Sequence, residues 1–179
     1  GKVNAAIGAT MMIEKHHPDV IISSGCAGGA DPSLNVGDVV VAMETTYHDA
    51  YCGDNCAYGQ IMGMPKRYIL SDKLIAIVQQ FGSDCHAITM GLMVSGDWFV
   101  DSREKMREIM QHFPEAKAVD MESCSIAQVC YTFGVPFVSF RIISDVPLKD
   151  HKAEMYFDFW ERLADGSFEV THRFVERLQ

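Results

Sequence analysis

The sequence has no apolar run near the ~18 residues that a membrane-crossing helix needs, so no such span is expected. It is short of cations: 15 Lys and Arg stand against 24 Asp and Glu, a net charge of −9. A field of that sign repels nucleic acid and anionic membrane, and neither is expected as a partner. The six cysteines, at 26, 52, 56, 85, 124 and 130, include no CxxC pair and are joined by no His-rich tract. Cys52 and Cys56 stand four apart in a polar stretch, but no second pair completes a zinc site. No metal is expected; the thiols read as free, in a reducing cytoplasm. Repeats, linkers and low-complexity tracts are lacking too, so residues 1–179 read as one domain. The opening Gly1-Lys2-Val3 carries neither an initiator Met nor a secretory-signal pattern.

What is present is a globular composition. Hydrophobic residues make up 48% and charged residues 22%, too apolar for disorder. A chain of 179 residues can bury roughly 70% of its unfolded surface. The organising stretch runs from Val135 to Asp145. Val135 to Phe140 is nearly continuous apolar sequence, the mark of a strand covered on both faces. It leads into Arg141 and Ser144-Asp145. Ligands of open α/β sheets bind beyond the carboxyl ends of the strands, which makes Asp145 a candidate catalytic group. The plainer alternative is that Asp145 caps the next segment or pairs with Arg141.

Along the chain, Val3, Ala6, Ile7, Met11 and Ile13 predict a helix over 3–15 that packs on a sheet, closed by solvent-facing His16 and His17. A strand over 20–24 is expected to break into Gly25-Cys26-Ala27-Gly28-Gly29. Three glycines there let backbone N–H groups approach a ligand, or simply make a tight turn. No Lys-Ser/Thr follows, so this is not a nucleotide P-loop. A strand over 39–47 leads into a long loop, 48–66, rich in Tyr and Met, which suits a partner surface or a lid. Ser71-Asp72 caps a helix to Gln80, and Ala87–Val94 is the next strand. At that strand's end, Trp98 and Phe99 are either core or a stacking platform for a flat ligand. Asp101-Ser102 caps a helix over 103–112. Asp120 and Glu122 flank Met121 at a strand-to-helix switch, where their charges suit the N-terminus of the helix over 126–133. Helices are expected over 154–163 and 168–178.

Three motifs now stand in order: Ser24-Gly25-Cys26-Ala27-Gly28-Gly29, Val119-Asp120-Met121-Glu122 and Arg141-Ile142-Ile143-Ser144-Asp145. Gly1-Lys2-Val3, Val36-Gly37-Asp38, Tyr47-His48-Asp49-Ala50, Tyr58-Gly59-Gln60 and Val94-Ser95-Gly96-Asp97 support them. The set resembles the nucleoside phosphorylase/nucleosidase superfamily, and within it the 5′-methylthioadenosine/S-adenosylhomocysteine nucleosidases. The resemblance implies an α/β three-layer sandwich, with a central twisted mixed sheet flanked by helices. It implies hydrolysis of an N-glycosidic bond releasing adenine, as in methionine salvage and nucleoside catabolism, by a cytoplasmic homodimer without a cofactor.

Residue by residue, the resemblance implies that Asp145 protonates adenine N7 and that Ser144 orients it. Glu122 would grip the ribose hydroxyls, Met121 would floor the ribose, and Asp120 is expected at the substrate with them. Phe99 would stack on adenine, and the Val100 backbone would read its polar edge. Ala27 and Gly28 would line the sugar and water side. Phe157 would cover the 5′ substituent, and Tyr58 would reach a dimer mate's pocket. Two departures stand out. Cys26 lies where these nucleosidases usually carry Ser. The family's first strand and its water-activating glutamate belong ahead of Gly1, so residues 1–179 alone are expected not to form a soluble, active nucleosidase. Alternatives are a purine nucleoside phosphorylase, a nucleosidase for another 6-aminopurine nucleoside, and a non-catalytic nucleoside-binding protein.

Overall fold

The structure is a computed structural model. It describes residues 1–82, 88–149, 159 and 169–178. In chain order the elements are α1 (Lys2–His16), β1 (Ile21–Gly29), β2 (Val39–Tyr47), β3 (Tyr68–Ile69), α2 (Asp72–Gly82), β4 (Ile88–Ser95), α3 (Arg103–His112), β5 (Ala116–Asp120), α4 (Ser123–Phe133), β6 (Phe137–Asp145) and α5 (Glu169–Glu176).

Local chemistry sets several boundaries. α1 stops where His17 turns left-handed, its N–H reaching the Ile13 carbonyl, and Pro18 then bars continuation. α3 starts on Ser102, whose side chain accepts from the Lys105 N–H. α4 ends on Gly134, at φ 69°, a conformation that costs glycine nothing.

One mixed sheet holds all six strands, in the order β3-β2-β4-β5-β1-β6. β1–β6, β2–β4 and β4–β5 run parallel; β1–β5 and β2–β3 run antiparallel. β6 also pairs antiparallel with β2, placing Val39 opposite Ile142, which the open sheet assumed from the sequence does not include. Five strands thus close into a ring and only β3 hangs outside it. Ala27, Val40, Ala42, Met93, Ala118 and Ile143 pack together as one of four buried clusters. The others lie under α3, under α2 with α5, and at α1 with α4. A central mixed sheet flanked by helices is therefore the fold.

Three expectations change. The Gly25–Gly29 segment does not break the strand; it is the second half of β1, hydrogen-bonded to β6 and then to β5. α1 packs mainly on α4 rather than on the sheet, burying Ala9 and Ile13 but leaving Val3, Ile7 and Met11 in solvent. Loop 48–66 does join a core: the Tyr58 ring stacks on His112 at 3.7 Å and packs with Phe113. The helix predicted over 154–163, with Phe157, lies outside the described residues apart from Phe159, which is buried.

Candidate active site

β1, β5 and β6 deliver their carboxyl-terminal residues to one place. Between β1 and β6 the register slips: Ala27 faces Ile143, but Gly28 faces Asp145. The extra residue, Ser144, is a bulge, a device that re-aims side chains at strand ends. Its hydroxyl lies 2.7 Å from Asp145 Oδ1 and 3.2 Å from the Ala27 carbonyl. Gly28 lies against this group: a Cβ there would be in ordinary contact with Asp145 Oδ2, at 3.8 Å, and with the Pro147 ring, at 3.7 Å.

The cleft so formed has a volume of about 130 Å³. From β1 come Cys26, Ala27 and Gly28; from β6, Ser144 and Asp145; from the β5–α4 turn, Val119 to Glu122. Trp98, Phe99 and Val100 form the remaining wall. Both rings stand out of the fold, Phe99 58% exposed, and the Lys105 ammonium sits over Trp98 at 4.5 Å. Every site residue named from the sequence, apart from Phe157 and Tyr58, therefore meets at one cleft. Tyr58, which the resemblance assigns to a dimer mate's pocket, packs within this chain against His112 and Phe113. Trp98 lines the cleft as well; its place beside Phe99 after a strand was the only signal.

The acids differ in environment. Asp145 is nearly buried, at 6% exposure. Glu122 is half-exposed and takes no part in capping α4; its carboxylate pairs with the Gly1 amino group. Asp120 lines the cleft, but its carboxylate turns inward, where Ser95, Ser123 and Arg141 donate to it. Arg141 pairs with Asp120 at 2.8 Å, so the pairing with Asp145 that the sequence left open is not its salt bridge. Burial pushes the Cys26 thiol up, an effect the Arg141 charge partly offsets, so Cys26 stays a neutral wall residue. Among the described residues, no basic side chain lines the cleft. A roomier cavity of about 560 Å³ lies between β3 and the end of α4, but it contains no carboxylate. The smaller cleft is the candidate site, because two acids, an aromatic wall and a small-residue strand converge there.

The family profile of the phosphorylase superfamily matches residues 1–178. The chain belongs to that superfamily. As a member, it is 45% identical over 181 residues to a 5′-methylthioadenosine/S-adenosylhomocysteine nucleosidase of Staphylococcus aureus, with 99% of this chain and 78% of that protein covered. Among solved structures of the superfamily, the nucleosidase from Neisseria meningitidis in complex with methylthio-immucillin-A superposes with a TM-score of 0.91. It shares 36% identity, over 99% of this chain and 78% of the other. The S-adenosylhomocysteine nucleosidase from Streptococcus pyogenes, in complex with 5-methylthiotubericidin, also gives 0.91, at 32% identity over 100% and 76%. Futalosine hydrolase of Helicobacter pylori gives 0.89, at 30% identity over 99% and 76%.

Proposed function

We propose that this protein hydrolyses the N-glycosidic bond of 5′-methylthioadenosine and S-adenosylhomocysteine, releasing adenine. The observation that carries the reading is the meeting of Asp145 and Glu122 with Phe99 in one cleft, in a chain 45% identical to such a nucleosidase.

In this mechanism adenine stacks on Phe99 and its polar edge meets the Val100 backbone. Asp145 gives its proton to adenine N7, held in line by Ser144. The C1′–N9 bond then breaks, its electron pair leaves with the base, and the sugar becomes oxocarbenium-like. Glu122 holds the ribose hydroxyls and faces that positive charge, so its attraction grows toward the transition state. Met121 floors the sugar, and Cys26, Ala27 and Gly28 line its other side. A water oxygen bonds to C1′ and releases its proton to solvent, and Asp145 takes a proton back from solvent, which completes the hydrolysis. The acid must keep its proton near neutral pH, and burial is the physical lever that favours the uncharged carboxyl.

Phosphate is the competing nucleophile in this superfamily. The described lining of the cleft offers a phosphate dianion no basic side chain, which favours water. The decisive experiment measures adenine release from both nucleosides with and without phosphate. Release that is equal in both conditions supports the hydrolase; release only with phosphate shows a phosphorylase. Likeness to a futalosine hydrolase supports a second reading, a nucleosidase for a different nucleoside. A substrate panel varying base and 5′ group decides between them.

We place the protein in the cytoplasm, as a homodimer acting in methionine salvage. The five described cysteines are free thiols, as a reducing compartment keeps them. No described helix is long and apolar enough to cross a membrane. Support for the dimer comes from the apolar ridge on α1, where Val3, Ile7 and Met11 are 67%, 53% and 66% exposed, four residues apart. Tyr51 and Met62 of the long loop add to it.

A further inference from the structure

We infer that Asp120 is a positioning residue: together with Ser95 it caps α4 from below, and this keeps the Glu122 carboxylate out of the helix cap and at the cleft wall, where it pairs with the Gly1 amino group. The inference rests on the proposed role of Glu122 at the ribose.

A helix begins with N–H groups that have no partner within the helix, and the residue just before it usually satisfies one with its own side chain. Glu122 holds that place before α4, yet its side chain makes no capping bond. The first N–H groups are satisfied from elsewhere. Ser123 N–H donates to Asp120 Oδ2 at 3.0 Å, and the Ser123 hydroxyl donates to the same carboxylate. Cys124 N–H donates to Ser95 Oγ at 2.9 Å, while that hydroxyl donates in turn to Asp120 Oδ1. The capping work is therefore done by the last residue of β5 and the last residue of β4.

A carboxylate doing this has its side chain 1% exposed and would be costly without a counter-charge. Arg141 supplies it, Nε to Oδ2 at 2.8 Å, with its own side chain 3% exposed. Two further guanidinium donors go to Ser23 Oγ at 3.0 Å and the Phe140 carbonyl at 3.1 Å. The guanidinium lies against Gly25, where a Cβ would be in ordinary contact with Arg141 Nη1 at 3.5 Å. Ser139 Oγ, 2.7 Å from Ser123 Oγ, extends the network into β6. The network thus ties the ends of β4 and β5, and interior residues of β1 and β6, to the turn that carries Met121 and Glu122. Asp120 has no acceptor turned toward the cleft that this network leaves idle, so its contribution to catalysis runs through Glu122.

The test compares hydrolysis of 5′-methylthioadenosine with that of its 2′-deoxy analogue in wild type, Glu122→Gln, Asp120→Asn and the double variant. Asp120→Asn sets an amide beside the donors of Ser123 and Arg141. It should lower the ribo-to-deoxyribo preference about tenfold or more, the scale of a small misplacement in a catalytic site. In the Glu122→Gln background it should change that ratio no further. A folded Asp120→Asn protein with the wild-type ratio overturns the inference, as does an effect fully additive with Glu122→Gln. If Glu122→Gln itself leaves the ratio unchanged, the ribose role of Glu122 falls and the inference falls with it. Ser95→Ala removes only a hydroxyl and decides the matter if Asp120→Asn does not fold. A shift in the same direction supports the inference, and an unchanged ratio overturns it.

Discussion

Ser144 Oγ stands 2.7 Å from Asp145 Oδ1, on the one residue of β6 that the bulge leaves without a partner in β1. That contact ties the orientation of the acid to the register of two strands. Asp145→Asn should cut adenine release by about two orders of magnitude or more, the usual scale for a general acid, with the circular dichroism spectrum unchanged. Ser144→Ala should cost about tenfold, since it removes one hydrogen bond to the carboxyl and not the carboxyl itself. Equal turnover in wild type and Asp145→Asn would remove Asp145 from the chemistry.

Phe99 is 58% exposed, and its proposed work is stacking. Phe99→Ala should raise KM about tenfold with a smaller effect on kcat, because base–aromatic stacking contributes about 1–3 kcal/mol. Phe99→Trp should keep most of the affinity. Steady-state kinetics on both variants gives the answer, and an unchanged KM in the alanine variant would place adenine elsewhere.

His48 is 4% exposed and its Nε2 has no hydrogen-bond partner among the described residues. Burial holds its pKa below the ordinary histidine value, although the nearby Asp49 charge works the other way. As pH falls through about 6.5, the unfolded chain takes up a proton that the folded one refuses. Stability should therefore be full above that pH and decline below it, down to the folded pKa. Urea midpoints between pH 8 and 5 should show the decline, and His48→Phe should flatten it. An equally steep decline in the variant would assign the effect to another group.

Gly59 has φ +85°, and a Cβ there would lie 2.2 Å from the Tyr47 carbonyl oxygen and 2.8 Å from Thr46 Oγ1. Neither the backbone nor the neighbours can give way cheaply. Gly59→Ala should lose about 2–3 kcal/mol or more, seen as a lower urea midpoint with unchanged slope. A variant as stable as wild type would show that the middle of loop 48–66 can be rebuilt freely.

The α1 ridge and the Tyr51–Pro65 loop are expected to lie in a dimer interface. Sedimentation at micromolar concentration should give a dimer, and Ile7→Glu on the ridge should shift it toward monomer. A stable wild-type monomer would count against the assembly.

The sequence determined the elements and the site roster because both are written locally. The alternation and apolar runs of β2, β4 and β6, and the cap at Ser102, depend on neighbours a few residues apart. The motif order brought Ala27, Glu122 and Asp145 to attention, and they do share one cleft. What tertiary structure decided is long-range. β6 pairs with β2 as well as β1, which closes the ring; no local pattern signals a strand with two partners. The glycines of β1 read as a turn by propensity, yet pairing on both edges holds them extended. Asp120 and Glu122 look alike in sequence, two acids flanking a methionine. Strand register turns one toward Arg141, 21 residues away, and leaves the other facing the cleft, because buried charge goes where its partners are.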